Sequence, residues 1–523
     1  MIYNKLRQIS KSAAISPAVK LIRKKNENRI WRKAFADLFT PEPESGSGVK
    51  RVLIVTSIGE NANALALDSI LAKALESRGC EVFVLLCDGV LDACMNCEIR
   101  KFKGLKEFQD QGAHKLCQSC VAQGAELTSI AGLNVLHFSS FLGVELGVPN
   151  SQDLESAHAG ALRFLAIGDK SSEEFLSILP KFVTASVQAR TILEKCISEM
   201  NVDIVLAHHG IYVPQGSAVS AAQNLGKRVV TWSQSYRRGT YLFSHSDTAH
   251  KMQLQEKFTF KKLSDEERNK TILYLESRDA GSNDWIRFGL TVKDKKEFLE
   301  DILQKPMVLL LTNVNWDAQV HFGKGLFTNM EEWLLDTIEW FTLHSNLQLV
   351  VRLHPAEVSG TVPTREPMER SIRSKFPKLP TNIVLVPPDS EISTYSLIER
   401  ADLGIIYGTK TGVELVSSGV PTIVAGEAWI KNKDMTLDPL SKSEYFQHLE
   451  DFANGNLVES PDVEKALSYA HHFFFRRMIE INSIKPIPYY PYARPQLKVD
   501  WEETDPGLVK VINSILSGDP FEF

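Results

Sequence analysis

The chain lacks any run of about 18 or more apolar residues, the length a bilayer-spanning helix requires, and its longest apolar stretches, such as Met307 to Leu311, are of sheet length. An integral membrane protein is therefore not expected. The N-terminus has no apolar signal core and no small-residue cleavage site, which points to cytoplasmic residence. An excess of positive charge is also missing: 59 Lys and Arg stand against 64 Asp and Glu, for a net charge of −5. A general nucleic-acid binder would need a strongly basic surface to neutralise phosphates, so nucleic acid is not expected as a partner. A Walker-type lysine loop and an internal repeat of fixed period are absent, which argues against nucleotide hydrolysis and against a solenoid. What remains is ordinary for a globular protein: 523 residues, 43% hydrophobic and 24% charged, enough for two or three domains.

The first segment, 1–48, reads as a basic amphipathic leader and linker. Lys5, Arg7, Lys11, Lys20, Arg23, Lys24, Lys25, Arg29, Arg32 and Lys33 stand against the single acid Glu27, and Ile2, Leu6, Ile9 and Ala13 share one helical face. That pattern suits either peripheral contact with an anionic membrane face or a solvated basic helix. Pro41 to Gly48 is turn-rich, and the folded core is expected from about Val49.

Strand-like apolar runs then alternate with helical patterns. Arg51–Thr56, the helical run Ala62–Arg78 and Glu81–Leu86 make a βαβ unit. Further strands read at Leu133–Leu136, Ile204–Ala207 and Arg228–Trp232, which extends a first α/β domain over 49–295. A second set, Val308–Leu311, Leu349–Val351, Ile383–Val386, Leu403–Ile406 and Thr422–Val424, marks a second domain over 296–480. A tail of 481–523 follows, with a helix at Gly507–Leu516. The fold class expected is α/β, two doubly wound Rossmann-like sheets facing a cleft.

Two motifs fall at strand ends, where a doubly wound sheet binds its ligands. Leu347–Leu353 runs into His354-Pro355-Ala356-Glu357, and Leu403–Ile406 runs into Tyr407-Gly408-Thr409-Lys410-Thr411-Gly412-Val413-Glu414. A turn of glycines and hydroxyls opening a short helix offers backbone N–H groups and two threonine hydroxyls to a phosphate. Asn313, Asn315 and Asp317 follow the strand Val308–Leu311 and face the same end.

With Leu311–Asp317, His354–Glu357, Ser393–Ile398, Tyr407–Glu414 and Gly426–Trp429, the stretch from about Val308 to Leu449 resembles the capsule polysaccharide biosynthesis proteins. These stand with the glycosyltransferases of two-Rossmann (GT-B) type, a group that also holds Kdo transferases and sialyltransferases with a His-Pro motif. The resemblance implies a nucleotide-sugar donor in the second domain, a glycan or lipid-linked glycan acceptor at the first, and terminal helices that cross back to the first domain. It implies that His354 contacts the departing phosphate. No Asp-x-Asp dyad stands where a metal-dependent single-Rossmann transferase would need one, so activation by protein dipoles and cations, with inversion, is expected.

Within that frame His354 is the first catalytic candidate, flanked by Arg352, Pro355 and Glu357. The other reading of His354 is a strand-terminating turn whose ring satisfies a carbonyl. Thr409, Lys410, Thr411 and Gly412 are assigned to phosphate or glycosyl binding and Glu414 to ribose hydroxyls, with a capping box from Thr411 to Glu414 as the structural alternative. Asn313, Asn315 and Asp317 are assigned to the donor base or sugar, or to a plain polar loop. His209, in His208-His209-Gly210, or Glu60, beside Asn61, would be the general base for the acceptor hydroxyl. Arg237 and Arg238 would contact an anionic acceptor or the donor pyrophosphate, or form a surface turn.

Cys94-Met95-Asn96-Cys97 and Cys117-Gln118-Ser119-Cys120 have the spacing that delivers four thiolates to a tetrahedral structural zinc. An iron–sulfur cluster uses the same ligands, and a redox dithiol or plain reduced cysteines remain open. Cys80, Cys87 and Cys196 read as packing residues, with Cys87 near enough to exchange into the cluster. The reading as a whole is a glycosyltransferase extending a surface or capsular polysaccharide. A polyol-phosphate transferase, a sugar-nucleotide epimerase and a noncatalytic scaffold of the assembly complex are the alternatives.

Overall fold

The structure, a computed structural model, describes residues 17–36, 48–251, 256–280, 283–285, 305–323, 325–456, 459–487 and 492–523. The leader residues Ile2, Lys5, Leu6, Arg7, Ile9, Lys11 and Ala13 and the expected 295/296 boundary lie outside these.

In chain order the first half comprises α1 (Pro17–Phe35), β1 (Arg51–Val55), α2 (Ala62–Ser77), β2 (Glu81–Leu86), α3 (His114–Ile130), β3 (Val135–His137), α4 (Ser151–Leu165), α5 (Glu173–Glu199), β4 (Ile204–His208), α6 (Gln215–Asn224), β5 (Arg228–Gln234), β6 (Thr240–His245) and α7 (Asp265–Ala280). The second half comprises β7 (Met307–Leu311), α8 (Met330–Leu343), β8 (Gln348–Arg352), β9 (Ile383–Val386), β10 (Leu403–Ile406), α9 (Thr411–Ser417), β11 (Thr422–Val424) and α10 (Val463–His471). It closes with β12 (Ile479–Glu480) and α11 (Pro506–Ser517).

Each strand is an almost continuous apolar run because parallel strands covered by helices are buried on both faces. Alternation divides the run between two cores. Val52 and Ile54 of β1 join one cluster while Leu53 and Val55 join the other, and Leu309 and Leu310 of β7 are split in the same way. The first sheet has the order β12-β6-β5-β4-β1-β2-β3 and the second β11-β10-β7-β8-β9. The second is parallel throughout, whereas β6 and β12 pair antiparallel at the edge of the first. Both sheets reverse direction of growth beside their first strand, so each has a switch point: between β1 and β4, and between β7 and β10.

Three differences from the sequence reading stand out. β6 was not read as a strand, and a surface turn was one of the two readings of Arg237 and Arg238 just before it. Gly239, at φ +80°, lets the chain turn so that Thr240 to His245 returns along β5. The folded core also begins before Val49, because Trp31 of α1 is buried in the apolar cluster under β1, α2 and α3. Finally, α7 lies in the span assigned to the first domain, yet it places Tyr274 in the core of the second sheet beside Phe473 and Phe474.

The chain also returns. β12 pairs with β6, and Leu508, Val511, Ile512 and Ile515 of α11 fill the first sheet's core. Between the halves, Ile211, Tyr212 and Ala159 pack on Ala318 and Phe322, which fixes the strand ends of the two sheets toward each other.

Candidate functional site

A cavity of about 450 Å³ opens at the β7/β10 switch point, within the size range of small-molecule sites. The second sheet supplies most of its wall: Asn313, Asp317, Arg352, His354, Pro355, Thr409, Lys410 and Thr411, all singled out in the sequence, line it. The first sheet closes it with Gln234, Ser235 and Tyr236 from the end of β5.

The switch point is stitched by one bond. Asn313 Nδ2 donates to Gly408 O at 2.8 Å, tying the loop after β7 to the loop after β10. The His354 backbone N–H donates to Thr312 Oγ1 at 3.0 Å, and Ala356 N–H donates to His354 Nδ1 at 3.1 Å. Because Nδ1 accepts, the neutral ring carries its proton on Nε2. Burial, reinforced by Lys410 and Arg352, pushes the imidazole down to about 3. His354 is thus neutral at physiological pH, with Nε2 as the ring's donor atom.

Arg352 lines the cavity while one of its terminal nitrogens donates to Pro387 O, and its Nε has no partner among the described residues. Burial lowers it to about 10, with Asp389 opposing. Lys410 Nζ stands 5.0 Å from the centre of the Tyr236 ring and 3.4 Å from Glu414, and burial lowers its ammonium below the usual range.

The threonine turn differs from expectation in one respect. Thr411 N–H donates to Thr409 Oγ1 at 3.3 Å and Gly412 N–H to Thr409 O at 3.3 Å. Two of the N–H groups expected to face a phosphate are therefore spent inside the turn, and the two hydroxyls bond each other at 3.2 Å, so that one O–H and the Lys410 ammonium remain as donors. Gly412 itself is absent from the wall: a Cβ there would meet Ile406 at 2.6 Å and Ile430 at 2.9 Å, so this glycine serves helix-on-strand packing.

Glu414 does not face ribose. It is buried in an ion pair with Arg278 of α7, with Lys410 and Tyr395 at its edge. Burial pushes its carboxyl up, but Arg278 and Lys410 outweigh this and hold it below the usual carboxylate range. The capping box fails for the same reason, since Glu414 is turned toward Arg278 and Lys410 takes the cap position with no side-chain cap bond. Glu357 is likewise beneath the wall, where it accepts from Met368 N–H at 3.3 Å and burial raises it to about 7. Asn315 Nδ2 holds Glu366 O at 3.3 Å and does not line the cavity.

The candidates from the first sheet are elsewhere. Glu60 accepts from Asn96 Nδ2 at 3.0 Å and from Ser119, which ties it to the cysteine-bearing loop. His209, at φ +66°, packs among His208, Tyr212 and His250, and burial with Arg163 lowers it to about 4. It reaches the cavity only through His250, whose Nδ1 accepts from Gln319 at 2.6 Å. Neither is placed to act as a base on a molecule in the cavity. Arg237 and Arg238 open onto a different cleft with Lys270, Tyr274 and Phe475, and they donate to Phe474 O and Ile487 O.

Three residues of the site were missed. Arg278 bridges Asp284 and Glu414 from within α7, a helix the sequence reading did not single out. Tyr236 precedes the two arginines that drew notice, and Tyr395 sits in a quoted motif without having been given a role. Asp317 gains importance instead: it lines the cavity, burial raises its carboxyl, and it has no ion-pair partner among the described residues. Cys94, Cys97, Cys117 and Cys120 do come together, with Cys87, at the other switch point.

No family model and no curated protein matches the chain. Among solved structures it is similar to the KpsC β-Kdo 2,4-transferase of Thermosulfurimonas dismutans, at 12% identity and a TM-score of 0.38 over 60% of this chain and 88% of that one. It is also similar to a UDP-GlcNAc 2-epimerase from Neisseria meningitidis bound to UDP-GlcNAc (10%, TM-score 0.24, 81% and 98%). The third is the spinosyn rhamnosyltransferase SpnG (12%, TM-score 0.26, 81% and 95%). Kdo transferases are thus among the structural neighbours, as the motifs suggested, but likeness this distant carries no argument about chemistry. No helix among the described residues is long and apolar enough to cross a membrane.

Proposed function

We propose that the chain is a glycosyltransferase that moves a sugar from a nucleotide-activated donor to a surface or capsular glycan. The observation that supports this reading is the convergence of His354, Arg352, Lys410 and the Thr409–Thr411 hydroxyls on one cavity at a switch point. Two cations, a neutral N–H donor and one remaining threonine O–H match the needs of a phosphate that gains charge as it leaves, and they do so without a metal ion.

In the step proposed, an acceptor hydroxyl oxygen forms the new bond to the anomeric carbon as the bond to the donor phosphate breaks. The electron pair of that bond goes to the phosphate oxygen, where His354, Arg352 and Lys410 stabilise it. The hydroxyl proton goes to Asp317, a buried cavity carboxylate with no ion-pair partner among the described residues, which takes the role that His209 and Glu60 are too remote to fill. Inversion at the anomeric carbon follows from a single displacement. Cytoplasmic residence and peripheral membrane contact through the basic leader belong to the same proposal, because a lipid-linked acceptor would be met there.

The experiment is a thermal-shift screen with CMP, UDP, GDP and CDP. One nucleotide is expected to raise Tm in the native chain but not in Arg352→Met, because a ligand that binds only the folded state stabilises it by mass action. If none of the four shifts Tm, the donor assignment fails. Incubating the stabilising nucleotide's sugar conjugates without acceptor separates the alternatives: conversion of the donor alone would establish an epimerase. Polymer production that survives His354→Ala would establish a scaffold.

A further inference from the structure

At the β1/β4 switch point the loops after β1 and β2 and the start of α3 enclose a second, small cavity. Cys87, Cys94, Cys117 and Cys120 line it, and its volume of about 20 Å³ leaves room for one water-sized guest. A water is a poor occupant, because it needs two to four polar partners and this wall is sulfur with Ile58, Leu91, Leu116 and Val121. Two polar side chains also belong to the wall: Asn96, whose amide is engaged by Glu60 and Lys101, and Ser57, 2% exposed, whose Oγ has no hydrogen-bond partner.

The thiols arrive in two pairs on rigid local structure. Cys97 N–H donates to Cys94 O at 3.0 Å, closing a tight turn that brings both side chains together. Cys117 and Cys120 are three apart in the first two turns of α3, hence on one face. The fit is close: a Cβ at Gly59 in the β1 loop would meet Cys120 O at 2.1 Å. A turn bearing two cysteines set against a helix start bearing two more is a donor set suited to a tetrahedral ion.

We infer that Cys94, Cys97, Cys117 and Cys120 bind one zinc ion, closed to substrate, at this switch point. No three of the sulfurs lie within 4.8 Å of one another, so the ion draws the turn and the helix together. Four thiols release their protons to solvent as they bind it. The N-terminal end of α3 and Lys101, whose Nζ donates to Asn96 O at 2.8 Å, offset the resulting charge. Ser57 Oγ–H is the donor available to a bound thiolate.

The site braces the larger cavity. Arg163 donates to Met95 O at 2.6 Å inside the turn, and Arg100, three residues past Cys97, donates across the cleft to Thr361 O at 2.8 Å, in the wall of that cavity. This assignment stands apart from the donor chemistry proposed above.

The test is elemental analysis of the full-length purified chain by plasma mass spectrometry. About one zinc per chain is expected, lost in Cys94→Ser and Cys120→Ser with a lowered Tm, and kept in Cys87→Ser and Cys196→Ser. Should the ligand variants fail to fold, cobalt substitution of the native chain gives the second readout, intense thiolate-to-metal absorption in a tetrahedral pattern. A metal-free native chain, iron with cluster absorption, or a Cys94–Cys97 disulfide in the purified chain would each overturn the inference. So would loss of zinc in Cys87→Ser with retention in Cys97→Ser.

Discussion

Two crevices of one topology have been put to opposite uses. Each sheet reverses beside its first strand, and each reversal gathers polar residues at strand ends: Glu60 and His209 on one side, Asn313, His354 and Thr409 on the other. At the second sheet the crevice is left open and its cations point into it. At the first, the loop from Cys87 to Cys120 fills the space: Glu60 is bonded to Asn96 and Ser119, and His209 is packed among His208, Tyr212 and His250. Strand-end position therefore nominates residues, while the length and content of the next loop decides which of them meet a ligand.

Making the same substitution at both crevices is the direct way to break that contrast. The largest effect is expected from Glu414→Ala, which leaves Arg278 buried without its main partner and lowers the unfolding free energy by about 3–5 kcal/mol. Glu60→Ala, which removes a bond to Asn96 and one to Ser119, is expected to lower it by about 1 kcal/mol. Urea midpoints compare the two, and equal losses would mean that the crevices are not differently built.

Next comes the histidine pair. His354→Asn is expected to reduce sugar transfer by about 10²–10³-fold, the usual effect of losing one donor aimed at a developing oxyanion. His209→Asn, which keeps a residue tolerant of positive φ, is expected to change it by less than about threefold. A turnover assay with the donor found in the nucleotide screen reads both, and a reversed order would move the reaction to the first sheet.

Smaller again is Arg352→Met, expected to weaken nucleotide binding by about 10–100-fold through loss of a charge-assisted contact, with Arg237→Met leaving it unchanged in isothermal titration. The smallest effect sharpens the contrast through pH. Burial lowers His208, His250 and His354 to about 3 and His209 and His321 to about 4, below the ordinary 6.5. The unfolded chain takes up those protons below about 6.5 while the folded chain does not, so stability falls on acidification. Asp68 and Glu357, raised to about 7, act in the other sense between pH 7 and about 4. Five histidines outweigh two acids, leaving a net loss of about 1 kcal/mol from pH 7 to 6. A urea midpoint that rises over that interval would show that the histidines are charged in the fold.

Much of this architecture was legible as apolar runs with turn residues after them, because a parallel strand buried on both faces admits little else. Ten strands were read in this way, and the convergence of His354 with the threonine turn followed from strand-end logic alone. β6 escaped because its apolar core is three residues long, Tyr241 to Phe243, and the arginines before it suggested surface. Glu414 and Gly412 were given the wrong duties for one reason: motif position tells which element a residue opens, whereas its partner, Arg278 or Ile430, lies far away in sequence. Arg278 carried no local mark at all.

The return of the chain to its starting half makes the first sheet depend on residues from the far end of the sequence. The polypeptide passes from β6 toward β7, then comes back through Arg477 to lay β12 along β6 and bury α11 under β1. The C-terminal segment, last in sequence, is in space part of the first of the two leaves, where it completes the edge and the underside of the β1 sheet. Deleting the last 45 residues would accordingly strip the edge and underside of the first leaf while sparing the page that holds His354.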